Sequence, residues 1–133
     1  MKKLLFFFSL ALMLVVSTNV NAQLAIGGGE IPSKNANLQF TNHSNERVGV
    51  LFALTNAQNR TLIWKKNIIL NPKQVYNETV KVHTGDYILG VTVGNEYSEI
   101  LSQKLKEFHV HYATYLPMSF RNNELTFEPG IAQ

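Results

Sequence analysis

The chain has 133 residues, with 12 lysines and arginines against 9 aspartates and glutamates, and it contains no cysteine. A chain of this length forms one domain, which is large enough to bury a core without metals or disulfides. The lack of cysteine excludes disulfide bonds, and it also excludes lipid attachment to an N-terminal cysteine.

The first 22 residues predict a cleavable secretory signal peptide. Lys2 and Lys3 form a positive start, residues 4–16 are apolar apart from one serine, and residues 17–22 end on small side chains. The apolar run is shorter than the roughly 20 residues that cross a bilayer, so cleavage after Ala22 is predicted rather than anchoring. We therefore expect a secreted protein of a bacterial envelope, located in the periplasm or outside the cell.

Removing the predicted signal also removes two positive charges. The remaining 111 residues carry ten basic and nine acidic side chains, a formal charge of +1. Their only adjacent like charges are Lys65 and Lys66. Nucleic acid and anionic membrane surfaces both attract larger basic clusters, so neither is an expected partner, and no integral membrane segment is expected after cleavage.

Residues 23–36 are expected to form a flexible leader, because they contain three consecutive glycines, a proline and mostly small or polar side chains. From residue 37 the pattern changes to short β-branched and aromatic runs separated by Asn, Gly and Pro clusters, which is typical of strands and turns. We therefore expect residues 37–133 to fold as a single all-β sandwich of about seven strands. The predicted strands are residues 37–41, 47–54, 61–70, 75–82, 87–93, 108–116 and 124–127.

Residues 95–107 fit both a helical and a strand spacing, and a strand with a turn is favoured because the neighbouring segments are strands. Residues 83–86 predict a tight turn at Gly85 that joins two strands into a hairpin. Residues 79–91, with Gly85, Asp86 and Tyr87 at their centre, resemble the hairpin common in transthyretin-like and other immunoglobulin-like accessory domains of exported proteins. That resemblance implies a Greek-key sandwich and brings no active site with it.

His109 and His111 are candidate metal ligands, because alternate residues of one strand project to the same face. Two imidazoles could share a Zn or Cu ion, with a third ligand from His43 or His83. No Cys, Asp or further His lies at a recognisable ligand spacing, however, so polar side chains on a solvated face are the favoured interpretation, and no cofactor is expected. In the same strand Phe108, Val110 and Tyr112 are expected to face the core.

An enzymatic function is not expected. The chain has no Gly-x-Ser-x-Gly motif and no cysteine, and its one aspartate, Asp86, is explained by the predicted turn. Pro117 should interrupt strand pairing and leave an exposed apolar rim of Tyr115, Leu116 and Met118 that could bind a partner. The leading interpretation is a non-catalytic exported sandwich that binds another protein. A small periplasmic metal-binding protein and an exported hydrolase are the alternatives.

Overall fold

The computed structural model describes residues 32–129, so the predicted signal peptide and the leader up to residue 31 lie outside the described residues. Among residues 32–129, no helix is long and apolar enough to cross a membrane. The described residues form eight strands, which are β1 (Lys34–Asn42), β2 (Val48–Asn56), β3 (Leu62–Leu70), β4 (Val75–Val82), β5 (Gly85–Gly94), β6 (Ile100–Val110), β7 (Ala113–Arg121) and β8 (Glu124–Phe127).

The strands form two four-stranded sheets that pack face to face. Sheet A has the order β4, β1, β7, β8, and sheet B has the order β3, β2, β5, β6. The pair β1 and β7 is parallel, and the other neighbouring strands are antiparallel. The all-β sandwich predicted from the sequence is confirmed, with eight strands in place of seven.

The core lies between the sheets and takes alternate residues from each strand. In β5 the predicted inward set is confirmed, because Tyr87, Leu89, Val91 and Val93 are all at most 3% exposed. Opposite them, sheet A contributes a matching apolar set, which consists of Ala36, Leu38, Phe40, Val80, Val82, Leu116, Met118, Phe120 and Leu125. This alternation is the period of a pleated strand, which is why the sequence predicts the inward residues of β5.

Two element boundaries differ from the prediction, and the ambiguous segment 95–107 agrees with the favoured alternative. β1 begins at Lys34, so the last three residues of the expected leader belong to the sandwich. Residues 95–107 form a turn followed by the first part of β6, as favoured. The predicted strand 108–116 is divided at residues 111–112, where the chain leaves sheet B and enters sheet A.

The predicted hairpin between β4 and β5 is wrong. β4 pairs with β1 at the edge of sheet A, whereas β5 lies between β2 and β6 in sheet B. Residues 83–84 therefore carry the chain from one sheet to the other, and Gly85 is the first residue of β5. Alternation shows only which side chains face the core. Val82 and Tyr87 would face it if β4 and β5 were neighbours in one sheet, and they also face it from two opposite sheets, so alternation alone does not choose between these arrangements.

Both open sides of the sandwich carry lysines. On one side Lys66 of β3 has its Nζ atom 3.4 Å from Oε1 of Glu78 and 6.0 Å from the centre of the Tyr76 ring. On the other side Lys104 of β6 has its Nζ atom 3.5 Å from Oε2 of Glu124. Charges on edge strands discourage pairing with another chain, so the edges of sheet B are protected against strand addition.

Candidate binding surfaces

The two predicted metal ligands lie where β6 ends. His109 faces outward in β6, and His111 is the first residue of the connection to β7. Nδ1 of His109 lies 2.6 Å from Oδ1 of Asp86, which is its direct partner across the β5 and β6 ladder. The rings of His109 and His111 lie 6.2 Å apart and nearly parallel, at an angle of 21°. The ladder therefore creates a His and Asp pair that the sequence did not reveal.

This arrangement provides two imidazoles and an orienting carboxylate. An ionised carboxylate only accepts hydrogen bonds, so Nδ1 of His109 donates to Asp86 and its Nε2 atom faces away. His43, one suggested third ligand, lies at the opposite end of the sandwich, in the connection from β1 to β2. Within residues 32–129 no three His, Cys, Asp or Glu side chains are grouped so that they could hold a metal ion.

Tyr112 does not face the core as expected. It is 62% exposed, because β6 ends two residues earlier and the alternation stops there. Its ring packs at 4.2 Å from the ring of His111, and Nζ of Lys34 lies 6.0 Å from its centre. Phe108 and Val110, which are still in β6, do pack against the core as predicted.

The predicted exposed rim around Pro117 is also corrected. Leu116 and Met118 are only 7% and 2% exposed and belong to the core. Tyr115 is half-buried on the outer face of sheet A, where its hydroxyl donates to Oε1 of Gln39 at 2.8 Å.

β7 accommodates Pro117 because β8 ends beside it, where the missing backbone N–H of the proline is not needed for strand pairing. The carbonyl of Pro117 accepts a hydrogen bond from the Glu128 amide, just beyond the last residue of β8. The nitrogen and carbonyl of one strand residue point to the same side, so the missing N–H faces the end of β8. Pairing with β1 on the other side continues without interruption through Gln39.

The outer face of sheet A is polar. Thr79 donates to Oδ1 of Asn37 at 2.8 Å, and Nε2 of Gln39 donates to Oδ1 of Asn77 at 3.2 Å. These residues alternate with the core residues of β1 and β4, as expected for a sheet with one face in water. The outer face of sheet A is therefore compatible with exposure to water.

The outer face of sheet B is different, because its two central strands are lined with small and apolar residues. Leu51, Ala53 and Thr92 are only 2%, 1% and 1% exposed, although their neighbours in sequence are the ones that face the other sheet. The cross-strand partners on this face are Gly49 with Gly94, Leu51 with Thr92, Ala53 with Gly90, and Thr55 with Ile88. We call these eight residues the sheet B trough.

Larger side chains of the edge strands border the trough. Ile69 of β3, and Ile100 and Leu105 of β6, are 48%, 46% and 67% exposed and pair with trough glycines, which places them on the same outer face. Half of the large hydrophobic side chains that are exposed in residues 32–129 therefore surround one surface. Polar side chains lie between them on the same face, since the edge strands also place Lys65, Asn67, Gln103 and Glu107 opposite trough residues.

The sequence contains a signal for the trough that the prediction missed. Residues 48–54 are an unbroken apolar run, and the structure buries all seven of them. A strand with one face in water alternates, whereas an unbroken run is typical of a strand that is covered on both faces.

An open cleft of about 490 Å³ adjoins the trough at the end where β2 finishes and β5 begins. Its lining includes Arg60, Tyr87, Ile88, Glu107 and Phe108. The residues that line the cleft include no Ser, Thr or Cys.

Comparison with known proteins supports the fold. The structure is similar to the T6SS lipoprotein TssJ1 from Pseudomonas aeruginosa, with a TM-score of 0.54 at 10% sequence identity, covering 77% of this chain and 99% of that one. A protein from Eubacterium rectale solved by NMR gives a TM-score of 0.49 at 12% identity, with coverage of 80% and 100%. At 10% identity the likeness to TssJ1 shows a shared β-sandwich and nothing about shared chemistry.

The sequence itself yields little similarity. No protein-family model matches the chain. A stretch of 61 residues is 39% identical to the glutamine-hydrolysing GMP synthase of Debaryomyces hansenii, which covers 46% of this chain and 11% of that enzyme. The chain thus corresponds to about a tenth of the length of that enzyme, and the match does not show a family.

Proposed function

We propose that the protein is an exported, non-catalytic β-sandwich that binds another protein at the bacterial envelope through the outer face of sheet B. The observation that carries this proposal is the contrast between the two outer faces. Sheet A presents polar side chains, among them two hydrogen-bonded pairs, whereas sheet B presents the trough with exposed Ile69, Ile100 and Leu105 around it.

Three further points support the proposal. The signal peptide predicted at residues 1–22 directs the chain out of the cytoplasm. The similarity to TssJ1, described as a T6SS lipoprotein, is consistent with a role at the envelope. The charged edges of sheet B favour binding by its face over binding by strand addition. Lipid attachment to cysteine is not part of the proposal, because the sequence has no cysteine.

The test compares two matched substitutions, each of which places a charge at an exposed aliphatic residue. Ile69→Glu changes the border of the trough, and Val75→Glu changes the edge strand of sheet A at a residue of nearly equal exposure, 48% against 46%. Each variant is expressed in the native host, and proteins cross-linked to it in the envelope are identified by mass spectrometry. We expect Ile69→Glu to reduce capture of a specific partner at least about tenfold, equivalent to about 1.4 kcal/mol of binding free energy.

Val75→Glu should capture that partner as well as the wild type does. Equal capture by Ile69→Glu and the wild type, or equal loss in both variants, would show that the outer face of sheet B is not the binding surface. Circular dichroism of the purified variants confirms that each substitution leaves the sandwich folded.

A further inference from the structure

The connection between β5 and β6, residues 95–99, carries the most exposed large hydrophobic side chain of residues 32–129. This side chain is Tyr97, which is 68% exposed. Tyr112 is nearly as exposed at the other end of the sandwich, but its ring rests against His111 and lies near Nζ of Lys34. The ring of Tyr97 makes no such ring or cation contact within the described part of the chain. Residues 32–129 therefore leave its apolar surface to water.

Hydrogen bonds fix the backbone on both sides of Tyr97. Oδ1 of Asn95 accepts from the amides of Tyr97 at 2.9 Å and Glu99 at 3.0 Å, and Nδ2 of Asn95 donates to Oε1 of Glu99 at 2.7 Å. The backbone adds bonds from the Asn95 amide to the Glu99 carbonyl and from the Ser98 amide to the Asn95 carbonyl. An aromatic side chain on a loop that is already ordered loses less conformational entropy when it is bound.

The loop continues the sheet B trough at one end. It leaves the trough at Gly94 and enters β6 at Ile100, which pairs with Gly94. In the same row of the sheet Gly94 pairs with Gly49, and Gly49 pairs with Ile69. The exposed border residues Ile69 and Ile100 therefore lie in the row of the sheet that adjoins the loop of Tyr97.

Two exposed carboxylates flank this aromatic side chain. Glu96 precedes Tyr97, and Glu99 follows two residues later. Glu96 forms no ion pair within residues 32–129. A molecule that buries the Tyr97 ring must also come close to these carboxylates, and leaving a carboxylate desolvated without a cation is costly. The complementary surface is therefore an apolar pocket with lysine or arginine at its border.

We infer that Tyr97 is the main anchor of the binding face and inserts into an apolar pocket of a partner protein whose border is basic. Tyrosine is among the residues that most often dominate the binding energy of an interface. Asn95 positions the anchor through the loop, and Glu96 selects the charge of the partner. This inference rests on the proposed function, because it assigns the chemistry of the partner that binds sheet B.

Photo-cross-linking in the native host tests the anchor without altering it. Ile100 is replaced by p-benzoylphenylalanine in the exported protein, and the adduct formed on illumination is quantified. We expect Tyr97→Ala to reduce the adduct at least about tenfold, whereas Tyr97→Phe, which keeps the ring, should retain most of it. Tyr112→Ala removes an equally exposed ring at the opposite end and should have no effect. All three changes are at exposed residues and should leave the urea unfolding midpoint nearly unchanged.

Charge reversal tests the basic border of the pocket. Glu96→Lys should reduce the adduct at least about tenfold, whereas Glu128→Lys, at an exposed residue that follows β8 of sheet A, should not. An adduct that neither Tyr97→Ala nor Glu96→Lys reduces would overturn the inference and leave the proposed function standing. No adduct from position 100 would overturn both. An adduct between two copies of the chain would also overturn the inference, because the occupant would then be the protein itself.

Discussion

Asn42 provides a sharp test of how the sandwich is closed at the end opposite His111. Its side chain is fully buried although it is polar. Nδ2 donates to the carbonyls of Glu46 at 2.9 Å and Asn71 at 3.0 Å, and Oδ1 accepts from the amide and hydroxyl of Ser44 at 3.0 Å and 2.7 Å. One amide group thus joins the connection after β1 to the connection after β3.

Asn42→Asp keeps the shape of the side chain and removes its donors. The introduced oxygen faces backbone carbonyl oxygens, so two hydrogen bonds of about 1 kcal/mol each are lost and buried acceptors are left unsatisfied at about 1–3 kcal/mol more. We expect the free energy of unfolding at pH 7 to fall by about 3–5 kcal/mol, a large part of the roughly 5–15 kcal/mol that stabilises a domain. Urea unfolding of the exported protein measures the change.

Asn77→Asp is the matched control. Asn77 is exposed, and its Oδ1 atom accepts a hydrogen bond from Gln39, a role that a carboxylate can retain. Its effect should therefore stay within about 0.5 kcal/mol. Lowering the pH toward 4 should return part of the stability of Asn42→Asp, because a protonated carboxyl can donate again. Equal unfolding midpoints for the two variants at pH 7 would refute the role assigned to Asn42.

Three further predictions concern single side chains. Burial, a hydrogen bond to Glu78 and the charge of Glu78 raise the pKa of Tyr76 well above its usual value, so the folded state holds this proton more tightly than the unfolded state does. Stability should then be complete below about pH 10 and fall as the pH rises further, and Tyr76→Phe should reduce that loss in urea unfolding at pH 8 and pH 11. Lys66→Val should change the free energy of unfolding by about 1 kcal/mol or less. It should nevertheless increase self-association in light scattering, because it removes a charge from the edge of sheet B. Unchanged association would contradict the role of that charge. In calorimetric titration with Zn(II) or Cu(II), the wild type should bind no more tightly than His109→Ala/His111→Ala, and clearly tighter binding by the wild type would establish a metal site.

Local sequence patterns located most of the strands, because alternation and turn residues are properties of short segments. β2, β3, β4, β5 and β8 all lie close to the predicted ranges. The two asparagines between β7 and β8 are also a turn signal in the sequence, and in the structure Asn122 and Asn123 have φ values of 54° and 60° and join these strands. Asparagine tolerates this left-handed region better than most residues do, which is why the sequence signal was reliable.

The surfaces were harder to predict, because they depend on which strands become neighbours. Leu116 and Met118 were expected at an exposed rim, but β7 lies between β1 and β8, and its alternate residues enter the core. The contact between His109 and Asp86 exists only because β5 and β6 pair in one particular register. Neither relation is visible in a segment of ten residues.

The sequence by itself determined the β class and the inward residues of β5, and it led to the prediction of export, since each depends on local composition or on a period of two residues. The tertiary structure decided that β4 and β5 belong to different sheets, that Pro117 fits within a continuous strand, and that Leu51 and Ala53 lie outside the core. The physical reason is that a strand pairs through backbone groups common to nearly all residues, so the choice of partner is made by the packing of the whole sandwich.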